Sequence, residues 1–183
     1  ATHIPFRSWC RHCVAGKAGH DAHRRRNKEP SGLPVISIDY AWLTEKGQEA
    51  GMPILVVHDR RSQYVAAHVV PKKGEDPYAT GRLRDTLRQM GYRTLVLKSD
   101  DEPAVKSLKA AVQRVSDLTI RMEESPAYDD QAKGAENTVR RVKGQVRTVR
   151  SCLEERLGCE VGREHRLVPW MIRHAGTLIT RYQ

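Results

Sequence analysis

Long hydrophobic runs are missing from this sequence of 183 residues. No stretch approaches the roughly 18 uninterrupted apolar residues of a membrane-spanning helix. The start, Ala1-Thr2-His3-Ile4, lacks the layout of a secretory signal. These absences exclude a helical membrane protein and predict a soluble, intracellular one. Cysteine is scarce: four residues are too few for a disulfide scaffold at this length. Aromatic residues make up only 5%, with a single Phe. No internal repeat or low-complexity tract is visible, so repeat arrays are excluded as well. Position 1 is not Met, which predicts a piece of a longer chain. What remains is a hydrophobic fraction of 39%, enough for one real core in one or two small domains.

Charge is present in excess of one sign, with 32 Lys and Arg against 22 Asp and Glu, a net +10. Residues 1–34 carry seven basic and two acidic side chains, residues 35–136 fifteen and sixteen, and residues 137–183 ten and four. A near-neutral body with two basic ends suits a protein that lies against a polyanion.

The first 34 residues form a unit rich in His, Arg, Gly and Cys. It closes with Arg24-Arg25-Arg26 and the breaker Pro30-Ser31-Gly32-Leu33-Pro34, and reads as a small module with a linker. From Val35 the pattern changes. Apolar runs over 35–41, 53–58 and 64–70, joined by short connections, predict an antiparallel meander. Helical spacing of Tyr78, Leu83, Leu87 and Met90 stops at Gly91, and residues 94–97 read as a fourth strand. A second helix starts near Glu102-Pro103 and runs to Val115, followed by a short strand over 118–122. A polar, breaker-rich loop over 124–134 precedes a long helix from about Ala132 to Leu157, and a last helix runs from about Pro169 to Tyr182. The order βββαβαβαα predicts an α/β domain over 35–183, with a five-stranded mixed sheet flanked by helices.

Three acids stand out. Asp39 sits in or at the end of the most apolar strand, Asp100 closes the fourth strand, and Glu136 opens the long helix. Carboxylates in such places carry a desolvation cost unless something positive sits among them. On the long helix, Glu136, Arg140, Lys143, Arg147 and Arg150 share one stripe. Val139, Val142, Val146, Val149 and Leu153 form a second, buried stripe about a quarter-turn away. Glu136 also has a purely structural reading, as an early helical carboxylate paired with Arg140.

These residues resemble the catalytic core of retroviral and LTR-retrotransposon integrases, members of the RNase H-like polynucleotidyl transferases. The resemblance rests on Ile38-Asp39-Tyr40, Lys98-Ser99-Asp100 and Gly134-Ala135-Glu136-Asn137, with 35 residues between Asp100 and Glu136. It covers residues 35–183 and implies the RNase H-like fold. Two departures are visible: Gly134 stands two residues before the third acid rather than three, and Asp101 adjoins Asp100 and competes for its role.

The resemblance implies that Asp39, Asp100 and Glu136 are catalytic and hold two Mg²⁺ or Mn²⁺ ions for 3′-end processing and strand transfer. It also implies DNA as partner, self-association and action on chromosomal DNA in the nucleus. The loop residues Tyr128, Gln131 and Lys133 would position a DNA end, with Arg140, Lys143 and Arg147 on phosphates. Integrases carry a zinc module before the core, and Cys10-x-x-Cys13 is similar to its second half. Zinc would be completed from His3, His12, His20 or His23, with His3 and His20 as first choices. His58 and His68 read as ordinary sheet residues with satisfied ring nitrogens. Three other readings remain open at this level: an integrase-derived DNA-binding protein without activity, a related D,D,E transposase, and a zinc-dependent structural protein.

Overall fold

The computed structural model describes residues 2–17, 32–43, 51–124 and 132–182, with the side chains of 132–134 excepted. The elements are α1 (Arg11–Lys17), β1 (Val35–Leu43), β2 (Met52–Asp59), β3 (Val65–Val69), α2 (Pro77–Gln89) and β4 (Thr94–Ser99). They continue with α3 (Pro103–Val115), β5 (Thr119–Glu124), α4 (Ala132–Leu157) and α5 (Leu167–Tyr182). From β1 onward this is the order expected from the sequence pattern, and α1 is the one helix that the pattern did not show.

The five strands form one sheet in the order β3-β2-β1-β4-β5. β1, β2 and β3 pair antiparallel, and β4 and β5 add in parallel. The two connections into parallel strands carry α2 and α3, since a parallel neighbour needs a crossover. Asp76 caps α2, accepting from the backbone N–H groups of Tyr78 and Ala79 at 3.0 Å, with Pro77 at the first helical position.

Strand alternation divides the apolar residues into two cores. Ile36, Ile38, Tyr40, Leu95 and Leu97 pack with Leu83, Leu87, Leu108 and Val112 on the side of α2 and α3. Ala41, Ile54, Val56 and Ala67 pack with Val142, Val146, Met171 and Ile172 on the side of α4 and α5. Gly176 is required there: a Cβ would stand 3.1 Å from the Ala67 nitrogen and the Val65 carbonyl oxygen, so α5 can lie directly on the β3 backbone.

On α4 only part of the expected stripe is fully buried. Val142 and Val146 are buried, while Val139, Val149 and Leu153 pack at the margin. A second side of the same helix, Gln145 and Thr148, is buried too. It lies beneath the N-terminal segment: Gln145 donates to the Thr2 carbonyl at 2.9 Å, and Gly16 lies against Thr148. No described helix is long and apolar enough to cross a membrane.

Candidate functional site

The sheet register brings two acids together. Val35, Ile36 and Ser37 of β1 lie beside Val96, Leu97 and Lys98 of β4, and the same offset carried two residues on sets Asp39 beside Asp100. Neighbouring strands are about 4.8 Å apart. Ile36, Ile38 and Tyr40 point into the α2/α3 core, so Asp39 points to the opposite face, the one that α4 covers. By the same alternation Asp100 follows Lys98 onto that face.

The charges agree with this neighbourhood. Burial is the main cause that pushes the Asp39 carboxyl up to about 6, and the adjacent Asp100 charge is the next. The Tyr40 backbone N–H, donating to Asp39 at 2.6 Å, opposes this, as does Lys73, while Glu102 adds to it. Lys73 is held over the rings of Tyr40 and Trp42, 5.5 and 5.4 Å from their centroids, and pairs with Glu102 at 2.8 Å.

Not every acid bears the expected cost of burial. Asp39 is half-buried, whereas Asp100 and Glu136 are exposed. Their positions explain this: Asp100 lies just past the end of β4, and Glu136 is the fifth residue of α4, where it pairs with Arg140 at 3.6 Å. Asp101 is occupied elsewhere. It pairs with Lys106, which lowers its pKa and also reaches Glu124 at 3.1 Å.

Two residues near the pair escaped the sequence reading. Glu102, before Pro103, adds a third carboxylate to the field around Asp39; the run Asp100-Asp101-Glu102 was its only signal. Lys109 sits on α3 among apolar positions and is 2% exposed. Its Nζ donates to Ser99 Oγ at 3.1 Å and to the Glu123 carbonyl at 2.7 Å, tying together the strand ends below Asp100. Burial lowers its pKa.

The basic row of α4 is only partly available. Arg147 donates to the Gly16 carbonyl at 3.2 Å, Arg150 pairs with Glu154 at 2.9 Å, and Arg140 pairs with Glu136. Lys143, Arg147, Arg150 and Arg163 border a cavity of about 200 Å³. Tyr128, Gln131 and His20 lie outside the described residues, as does the side chain of Lys133 in the first turn of α4. His68 bonds Thr86 at 3.1 Å as expected of a satisfied sheet histidine. His58 differs: among the described residues neither buried ring nitrogen makes a well-formed hydrogen bond, and its neighbours are the cation Arg141 of α4 and the Gln63 amide.

The N-terminal segment gathers His3, Cys10 and Cys13, whose ligand atoms all lie within 4.8 Å of one another. His3 Nδ1 stands 3.5 Å from Cys10 Sγ and 3.7 Å from Cys13 Sγ. Zinc with N and S ligands at about 2.0 and 2.3 Å has tetrahedral edges of this length, so the donor set fits the ion. The backbone N–H groups of α1 lower the Cys10 pKa, favouring the thiolate that a metal needs. His12 is engaged elsewhere: its Nδ1 meets Ser151 Oγ at 2.8 Å and its Nε2 meets Glu155 at 2.5 Å, fastening α1 to α4.

An open mixed sheet in the order β3-β2-β1-β4-β5, with three antiparallel strands and two added in parallel, is the arrangement of the RNase H-like fold. No family model and no curated protein matches the chain. Solved structures do. The catalytic core domain of BIV integrase is 19% identical over 81% of this chain and 82% of that one, with a TM-score of 0.45. A chain of a simian T-cell lymphotropic virus intasome, solved in complex with PP2A regulatory subunit B56 gamma, is 17% identical, with a TM-score of 0.54. That match covers 93% of this chain, which spans 55% of the intasome chain. This chain therefore shares its fold with the intasome chain.

Proposed function

We propose that this chain is the catalytic part of a retroelement integrase, a polynucleotidyl transferase that trims the 3′ end of element DNA and joins it to target DNA. The observation that carries the reading is the pair Asp39 and Asp100, one in the middle of β1 and the other just past the end of the parallel strand β4. One of them is half-buried, and burial together with the neighbouring Asp100 charge raises its pKa. A carboxylate pair in this state fits a hard divalent ion, Mg²⁺ or Mn²⁺. Asp39, Asp100 and Glu136 would hold it. When bound, such ions stabilise the attacking and leaving oxygens of an in-line phosphoryl displacement.

The chain's own residues set the stage for that chemistry. The Tyr40 N–H fixes one oxygen of Asp39, and Lys109 anchors the strand ends that present Asp100. Glu136 joins the pair by leaving Arg140, and the freed guanidinium then becomes available to a DNA phosphate. Lys143, with no ion pair among the described residues, is the readiest phosphate contact, and Arg147 joins it on the same row. Tyr128, Gln131 and Lys133 position the DNA end. His3, Cys10 and Cys13 take zinc, with His20 as fourth ligand. The protein works as a homo-oligomer on chromosomal DNA in the nucleus.

The test is joining of a labelled oligonucleotide 3′ end into duplex DNA with Mg²⁺ or Mn²⁺. Asp39→Asn, Asp100→Asn and Glu136→Gln should each lower the rate by at least about 100-fold, and Asp101→Asn should spare it. A folded chain that binds DNA but neither cuts nor joins it would overturn the catalytic reading in favour of a DNA-binding remnant.

A further inference from the structure

On the sheet edge away from β4 and β5, a cavity of about 310 Å³ opens between α2, α5 and β3. Three arginines border it: Arg82 from α2, and Arg173 and Arg181 from α5. The single acid in its lining, Asp85, is held by Arg84, which donates to it through Nε and Nη2 at 3.1 and 2.9 Å. Among the described residues none of the three guanidiniums has a carboxylate partner, and the Nε of Arg82 is buried without a hydrogen bond.

The floor is built from a fixed network. Thr86 Oγ1 donates to the Arg82 carbonyl at 2.7 Å, so its hydrogen is committed. The contact of 3.1 Å with His68 Nε2 must then be donated by the histidine. His68, only 8% exposed, is thereby the Nε2–H tautomer, and its Nδ1 lone pair faces Arg82 Nη2 at 3.5 Å. A neutral, buried acceptor faces a cation that no carboxylate among the described residues balances. The hydroxyls of the α5 wall are spent on backbone: Thr180 donates to the Val65 carbonyl and accepts from the Val65 N–H, and Thr177 donates to the Arg173 carbonyl. Charge recognition is therefore left to the guanidiniums, with the Tyr64 hydroxyl and the Gln89 amide as the other polar groups of the lining.

From this geometry we propose that the cavity is a binding site for a small polyphosphate, a molecule carrying two or more adjacent phosphate groups. Guanidinium forks match phosphate oxygens bidentately, and three of them around one space suit clustered charge. The volume lies at the lower end of small-ligand sites, too small for a folded peptide segment. A duplex is far wider than the cleft and cannot reach the His68 floor. The site lies two strands from β1, so it is separate from Asp39 and stands whether or not the chain joins DNA.

The experiment is calorimetric titration of the full chain with tripolyphosphate at physiological salt, with and without excess duplex DNA. One saturable site is expected. The double variant Arg173→Ala/Arg181→Ala should weaken it by at least about tenfold, as should Arg82→Gln, while Arg156→Ala on α4 leaves it unchanged. Both α5 arginines are exposed, so the double variant decides the matter even if Arg82→Gln disturbs the floor. No saturable binding up to about 1 mM, an equal loss in Arg156→Ala, or stoichiometric displacement by the duplex would each overturn the proposal.

Discussion

The two faces of the one sheet are made differently. On the α2/α3 face, β1 and β4 offer Ile36, Ile38, Tyr40, Leu95 and Leu97 to an almost wholly apolar core. On the α4/α5 face the same two strands offer Ser37, Asp39 and Lys98, and β2 adds His58. Adjacent residues thus serve opposite ends. The first face holds the fold through apolar burial, about 25 cal/mol per Å². The second keeps polar groups in partly dry surroundings, where their protonation responds to neighbouring charge. On β1 and β4 the pleat sets apolar and polar residues on opposite faces, at a distance of one residue, while the α4/α5 face keeps its own apolar core largely on β2 and β3.

The largest effect that would sharpen this contrast is on the apolar side. Leu97 is fully buried, and Leu97→Ala should cost about 2–5 kcal/mol in a urea melt. A loss well below that range would mean that the α2/α3 face is not the mainstay of the fold.

Acid should act next. Burial holds His58 and His68 down to about 4, below the ordinary 6.5. Between these values the unfolded chain binds more protons, so stability falls as pH drops from about 6.5 towards 4. Each histidine should contribute on the order of 2 kcal/mol of loss by pH 5. His58→Leu should remove about half of that slope in melts taken from pH 7 to 5.

The seam between the N-terminal segment and α4 gives a third test. A Cβ on Gly16 would meet Thr148 Oγ1 at 2.1 Å and the Thr148 nitrogen at 2.9 Å. Gly16→Ala should therefore cost about 1–3 kcal/mol. Zinc should raise the melting temperature of the parent chain, and Cys13→Ser should abolish that rise.

The smallest effect has the opposite sign. Asp39→Asn should stabilise the metal-free protein by about 1–2 kcal/mol at pH 8, since it removes a half-buried charge beside Asp100. Its folded pKa is raised, so the charged form is costly above about 6, and the gain should fade as pH drops from 6 towards 3.8. Saturating Mg²⁺ should erase it. A destabilised Asp39→Asn would place Asp39 among ordinary structural polar groups.

Much of this arrangement was legible in the chain itself. The period-2 runs of β1 to β3 and the 3.6-residue spacing of α2 to α5 depend on local pattern, so element order and class followed from them. The acids Asp39 and Asp100 were legible because a carboxylate within or just after an apolar strand breaks the pattern. Lys109 was not, since a lysine inside a helical apolar face reads as a solvent residue until Ser99 and the Glu123 carbonyl are seen to receive it. Nor was α1, whose seven residues are too short for a periodic signal.

By itself the sequence determined which segments from β1 onward become strands and helices, the spacing of the acids, and the two basic ends, because these rest on neighbours along the chain. Only the tertiary structure decided that Asp39 lies beside Asp100 while Asp101 turns to Lys106. It alone brought His3 to the two thiols and three arginines to one cavity. Those outcomes depend on strand register and on which helix covers which face, contacts between residues far apart in sequence, and no local pattern encodes them.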